Sequence, residues 1–267
     1  ALWCEKVHRI ETVTETERMK WGITLEPVIA DEFDLWAREN IEAYNHLIDP
    51  GRFALQYHHK YPFIAATLDR EVWDNYSRVG VLEIKTTDGR NAGDWADEPP
   101  LYYQIQVQHQ LLVTGLPMGW LAVLIGGNDF RVYECPRNEP FITHLLEKEI
   151  EFWRLVETET PPEIDGSAST TAAIRLLHPQ DSGAEIVLDE DVWLDDILYL
   201  DELKEKVKEY QAEITVIENR LKNVIADATY AHCGAFTFSY KTQTRKAHEV
   251  KESTCRVLRR GKRKEKK

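Results

Sequence analysis

The 267 residues contain four cysteines, Cys4, Cys135, Cys233 and Cys255, no two of them closer than 22 positions. Zinc and iron–sulfur ligation usually need cysteines at short spacing, so neither has a footing here and free thiols in a reducing compartment are expected. Long apolar runs are missing too: nothing approaches the roughly 18 uninterrupted residues of a membrane span. The first residues, "ALWCEKVHRI", lack the basic-then-apolar plan of a secretory signal. A cytoplasmic protein with no membrane partner is the expectation. Positive charge is scarce, with 33 Lys and Arg against 46 Asp and Glu, a net charge of -13.

That shortage is uneven. Twelve Lys and Arg but only three Glu lie between Lys241 and Lys267, so this tail carries +9 and the preceding 240 residues carry -22. A basic tail is either a nucleic-acid contact or a solvated terminus. The acidic body does not exclude nucleic acid, because an enzyme that binds a divalent metal needs local carboxylates. The adjacent His58 and His59 lie in "QYHHKYP", read as a solvated loop. What is plentiful is core material: 43% of residues are apolar and 10% aromatic, as in a folded domain.

Periodicity places the elements. Leu25, Val28, Ile29, Phe33 and Trp36 follow helical spacing, and Pro27, tolerable only in a first turn, puts the helix start near Thr24. "PFIAATLD" reads as a short strand ending on Asp69, and "RVGVLEIKTT" as a second strand. A helix runs between Pro99-Pro100 and Gly115. "GWLAVLIGGNDFRVYEC" is a hairpin, and "FITHLLEKEIEFWRLVE" a closing helix. The order indicates a mixed α/β domain over residues 1–165. Residues 166–197, rich in Ser, Thr, Gly and Asp, read as a linker. Over 198–228, Leu200, Leu203, Val207, Tyr210, Ile214, Ile217, Leu221, Val224 and Ala228 alternate three and four apart, the pattern of a coiled-coil helix. It is expected to self-associate or to dock on the body. The basic tail occupies 229–267.

In the second strand, alternation sets Glu83 and Lys85 on one face and Leu82 and Ile84 on the other. Alone, such a pair is an ordinary solvated ion pair. Asp69 closes the preceding strand, however, and Glu26 sits near the start of the first long helix. Carboxylates that converge repel unless a cation sits among them, and hard divalent ions prefer oxygen ligands.

Asp69 followed by Glu83-Ile84-Lys85 resembles the P-D...(D/E)-x-K nuclease signature, and more narrowly the YqaJ-type viral recombinases related to phage lambda exonuclease. "WGITLEPVIADEF" is similar to that family's Gly-x-x-x-Glu helix motif through Gly22 and Glu26. "VLEIKTT" resembles its active strand, and Tyr103, Gln106 and Gln108 fall on its Tyr-x-x-Gln-x-Gln pattern. "ALWCEKV" resembles its LW-x-x-K segment. The likeness runs from Ala1 to about Pro162. It departs at Leu68, where the family usually has Pro, and at Arg70, where Gly often follows. Relatives also carry an upstream segment that holds the terminal phosphate, so a domain lacking that segment is expected.

The resemblance implies a restriction-endonuclease-like core, a central mixed sheet flanked by helices. It implies magnesium, replaceable by manganese, on Asp69, Glu83, the Ile84 carbonyl and Glu26, with Lys85 activating water. Gln106 would orient Lys85 or a phosphate, and Tyr103, Gln108 and Arg70 would contact substrate. Tyr103 otherwise simply packs, Arg70 otherwise forms a surface salt bridge, and Gln104 and Gln110 read as exposed amides. The implied activity is 5′-to-3′ digestion of linear double-stranded DNA, leaving 3′ single strands for an annealing protein, by a homotrimer. Two alternatives stay open: a structure-specific endonuclease with the same metal site, and a non-catalytic interaction protein using the coiled coil and tail.

Overall fold

The computed structural model describes residues 1–10, 16–51 and 53–244. The chain divides into two compact units, Ala1–Leu177 and His178–Lys267. In the first, helices α1 (Leu2–Lys6) and α2 (Glu17–Asn40) precede short strands β1 (His46–Ile48), β2 (Gln56–Tyr57), β3 (Ala65–Ala66) and β4 (Arg70–Trp73). The long strand β5 (Arg78–Thr87) leads through a 3-10 helix, Gly89–Trp95, into α3 (Leu101–Thr114). Strands β6 (Met118–Ile125) and β7 (Asp129–Pro136) and helices α4 (Glu139–Glu157) and α5 (Ala168–Leu177) complete it.

Five strands form one sheet in the order β1-β4-β5-β6-β7. All neighbours are antiparallel except β5 and β6, which run parallel because α3 carries the chain back between them. A strand covered on both faces is apolar on both. The Leu82 and Ile84 side of β5 packs with Ile29, Ala30, Phe33 and Ala37 of α2, while Val81 packs with Val107 and Leu111 of α3. Each fully buried Val or Leu here contributes roughly 1.5–3 kcal/mol. Gly80 lets β5 approach β6, since a Cβ there would strike the Trp120 ring and the Met118 carbonyl. This is the mixed, helix-flanked sheet expected from the sequence. No described helix is long and apolar enough to cross a membrane.

Several local expectations are corrected. Helix α2 starts at Glu17, where the Thr16 hydroxyl accepts from the Met19 amide, so Pro27 lies inside the helix. The four buried side chains on its sheet-facing side outweigh the one backbone bond that proline removes. In "PFIAATLD" only Ala65 and Ala66 pair, with β2, and Asp69 stands at the entry to β4 rather than at a strand end. His58 is not solvated: it is 7% exposed, and its Nδ1 accepts from the Lys60 and Tyr61 amides. Burial accordingly lowers its pKa.

Part of the expected linker is helix α5, whose Ala173 packs with Trp3 and Cys4 of α1 and with Phe152, Leu155 and Val156 of α4. In the second unit, α6 runs Glu190–Ile225, starting earlier than expected behind an Asp189 cap and ending before Ala228, the last position of the expected stripe. Strands β8 (Tyr230–Cys233) and β9 (Phe236–Ser239) then form a hairpin where only basic tail was expected. The tail from 245 onward lies outside the described residues.

His109 ties α3 to α4 and to β3. Its Nδ1 is 2.7 Å from Glu149 Oε1 and its Nε2 is 3.1 Å from the Ala65 carbonyl, two acceptors that together call for the doubly protonated ring. Burial opposes that charge, but the Glu149 carboxylate and the Ala65 carbonyl outweigh it and the pKa is raised. A folded pKa above the unfolded value of about 6.5 gives stability that is complete below that value and is lost as pH climbs through the folded one. The melting-temperature gap between wild type and His109→Gln should therefore be widest near about pH 6 and shrink by about pH 9. Thermal melts across that range check it, and a constant gap would contradict it.

Candidate active site

Antiparallel pairing of β4 with β5 sets Arg70 opposite Leu82, so Asp69, one residue earlier, arrives beside Glu83. The side chains of Glu83 and Lys85 face α3, and their neighbours Leu82 and Ile84 face α2. Glu83 is 2% exposed on a central strand. An ionised carboxylate in such a place requires donors. It has three: Oε1 accepts from Gln106 Nε2 at 2.7 Å and from the Lys85 ammonium, and Oε2 accepts from Gln110 Nε2 at 2.5 Å.

Asp69 is less well supplied. Its Oδ2 accepts from the Ile84 amide at 2.7 Å. Its pKa is pushed up to about 7, first by burial and then by the Glu83 charge; the Ile84 amide and Lys85 pull the other way, and Glu26 adds to the rise. Two carboxylates thus share a water-poor site at mutual electrostatic cost. It is the amide of Ile84 that reaches this cluster.

Lys85 completes the group. Its Nζ lies 5.2 Å from the centroid of the Tyr103 ring, a cation–π arrangement. Tyr103 is half-buried, with Trp95 at 5.3 Å and Tyr102 at 4.1 Å between ring centroids, and burial lifts its hydroxyl pKa to about 12.

Glu26 lies within the electrostatic reach of Asp69 but is drawn to Arg70, whose Nη1 stands 2.5 Å from Glu26 Oε1. Arg70 also donates to the Asp69 carbonyl and has Asp49 at 3.8 Å. Its side chain is only 10% exposed, so it is neither the surface salt bridge nor the open phosphate contact expected of it. It is an internal clamp on Glu26. Among the described residues no group of three or more His, Cys, Asp or Glu side chains is arranged to hold a metal ion.

The structure therefore gathers Asp69, Glu83, Lys85, Gln106 and the Ile84 backbone, with Glu26 adjoining them. Gln108 is not among them. Its Nε2 donates to the Pro136 carbonyl and its Oε1 accepts from the Asn138 amide, which pins the start of α4. Positions two apart on a helix point about 200° apart, so Gln106 and Gln108 cannot share a face. Positions four apart can. Gln110, read as an exposed amide, is 2% exposed and supplies the third donor to Glu83 while its other proton points to the Thr67 carbonyl at 3.3 Å. The i, i+4 spacing from Gln106 was the available signal. Gln104 Nε2 donates to the Pro99 carbonyl just ahead of its own helix.

Residues 1–117 match the family model of the YqaJ-like viral recombinase domain, which bears out the resemblance read from the motifs. The uncharacterized protein YqaJ of Bacillus subtilis (strain 168) is 29% identical over 245 residues, spanning 90% of this chain and 73% of that protein. Among solved structures, an alkaline exonuclease from Laribacter hongkongensis aligns with 59% of this chain and 77% of its own, at 19% identity and a TM-score of 0.46. The same enzyme in complex with dAMP gives the same figures.

Replacing Gln110 with the apolar, similarly long Met leaves Glu83 Oε2 buried without its donor. Gln110→Met should lower unfolding free energy by about 1–3 kcal/mol, the cost of an unsatisfied buried acceptor. Gln104→Met, at the helix start, should change it by less than about 1 kcal/mol. Urea unfolding of both variants is the check, and equal effects would contradict the assignment of Gln110.

Proposed function

We propose that the chain is a metal-dependent deoxyribonuclease of phage-type recombination. The observation that carries this reading is the meeting of Asp69, at the entry to β4, with Glu83 and Lys85 of β5 at one buried spot. The family match over residues 1–117 supports it independently.

The donor set suits a hard divalent cation. Asp69 has an elevated pKa because a second carboxylate shares its burial, and a cation between them relieves that cost. In this reading Asp69 and Glu83 hold magnesium, or manganese in its place, with the Ile84 carbonyl and Glu26 as further oxygen donors. Glu26 must first leave Arg70 to take part. A bound divalent ion supplies an acidified water and neutralises phosphate charge.

The chain's own groups do the rest. Hydrolysis joins a water oxygen to phosphorus, breaks the bond to the leaving sugar oxygen, and moves a proton from the water to that oxygen. Lys85, held by Glu83 and lying over Tyr103, places its ammonium where it orients the water and offsets phosphate charge. Gln106 and Gln110 fix the carboxylate that fixes Lys85. Tyr103 forms a wall on which a nucleotide base stacks.

The finer assignments belong to the same proposal: linear duplex ends as substrate, 5′-to-3′ digestion to mononucleotides, a 3′ single strand passed to an annealing protein, and a homotrimer. Incubating the protein with linear duplex, closed circular duplex and single strand, with and without magnesium, tests the substrate form and the metal requirement. Mononucleotide release from linear duplex alone is expected. Cutting of the closed circle would make it an endonuclease, and no cutting of any form would leave an interaction protein.

Lys85→Ala, which still folds although it is destabilised by the loss of one donor to Glu83, should reduce cleavage by roughly 100-fold or more at temperatures below its own melting transition while magnesium binding is retained. Full activity in the variant would remove Lys85 from the mechanism.

A further inference from the structure

Helix α6 is 36 residues long, and the one side chain it buries is Ile225. Its eight stripe positions, Leu200, Leu203, Val207, Tyr210, Ile214, Ile217, Leu221 and Val224, are 37% to 83% exposed. A helix of this kind presents far more apolar surface than water tolerates without a partner.

The period of the stripe says what kind of partner. A straight α-helix drifts about 20° per heptad against a strict seven-residue repeat, so a stripe held at alternating steps of three and four winds around its helix. A flat sheet face cannot follow it over this length; another helix supercoiled around it can. The stripe spans Leu200 to Val224, about 36 Å at 1.5 Å per residue.

Few helices offer a seam of that length. Among the described residues only α2, at 24 residues, is comparable, and it commits Ile29, Ala30, Phe33 and Ala37 to the sheet. Helix α4 is shorter, and its Leu145, Leu146, Leu155 and Val156 already pack within the first unit. The matching seam is α6 itself.

Its flanks permit this. Charged side chains avoid the stripe, and several pair along the helix, Lys206 with Glu202 and Lys222 with Glu218. The positions beside the stripe carry Lys204, Lys206 and Arg220 against Glu213 and Glu218, so two copies meet without a wall of like charge.

We propose that α6 is a homotypic interface, a coiled coil formed with α6 of a second copy of this chain. The inference rests on the second unit and does not depend on the nuclease reading.

Sedimentation or light scattering of the full chain at micromolar concentration tests it. The wild type should have a mass that is a multiple of 31.1 kDa. Placing two acids at the middle of the seam, Ile214→Asp with Ile217→Asp, should raise the dissociation constant by about 100-fold or more. Val216→Asp, off the stripe, should leave the mass unchanged. A monomeric wild type, an unaltered double variant, or an equal loss with Val216→Asp would each overturn the proposal. A reading on the wild type alone guards against a variant that fails to fold: the helix-melting midpoint, followed by far-ultraviolet circular dichroism, should rise with protein concentration. A midpoint independent of concentration would overturn it as well.

Discussion

Burying an ionised carboxylate at the centre of a sheet costs several kcal/mol unless nearby donors replace the water it loses. Glu83 is such a carboxylate, and much of the first unit can be understood as the supply of its donors. Lys85 comes from the same strand, two residues on. Gln106 and Gln110 come from one face of α3, which lies across β5 because the connection between two adjacent parallel strands must pass over the sheet. The apolar residues between those glutamines, Val107 and Leu111 among them, hold the helix at the required height. Packing and polar satisfaction thus specify the same placement.

The support is unequal across the cluster, and that inequality bears on function. Glu83 has three donors, while Asp69 has the Ile84 amide and an elevated pKa. Glu26 is committed to Arg70. The three acids share one field without closing around one point, which agrees with the lack of a three-ligand metal group among the described residues. In the proposed reading, a divalent ion would supply the positive charge that the protein itself provides only in part through Lys85. Arg70 holds Glu26 in an ion pair, and in the proposed reading that pair would have to break before Glu26 could join a metal.

How much was legible depended on whether a residue's role was local. Strand β5, helix α3, the β6–β7 hairpin and helix α4 follow from hydrophobic periods and Gly or Pro punctuation. The convergence of Asp69, Glu83 and Lys85 was readable from alternation together with the motif order. Strand β4 was not, because it opens on the charged pair Arg70 and Glu71; burial of Arg70 depends on Glu26, 44 residues away. Helix α5 hid in a small-residue stretch whose packing partners, α1 and α4, are distant in sequence. Gln108 and Gln110 were exchanged in role because the glutamines alternate along the sequence, whereas a helix sorts them by steps of three and four.

The central claim is that Asp69 and Glu83 form one cation site. Calorimetric titration of manganese into the full chain, beside the Asp69→Asn and Glu83→Gln variants, addresses it without reference to DNA or turnover. Saturable binding by the wild type, weakened by at least about tenfold in each variant, is the result this account requires. Wild-type affinity retained in Asp69→Asn, or no saturable binding by the wild type, would contradict it.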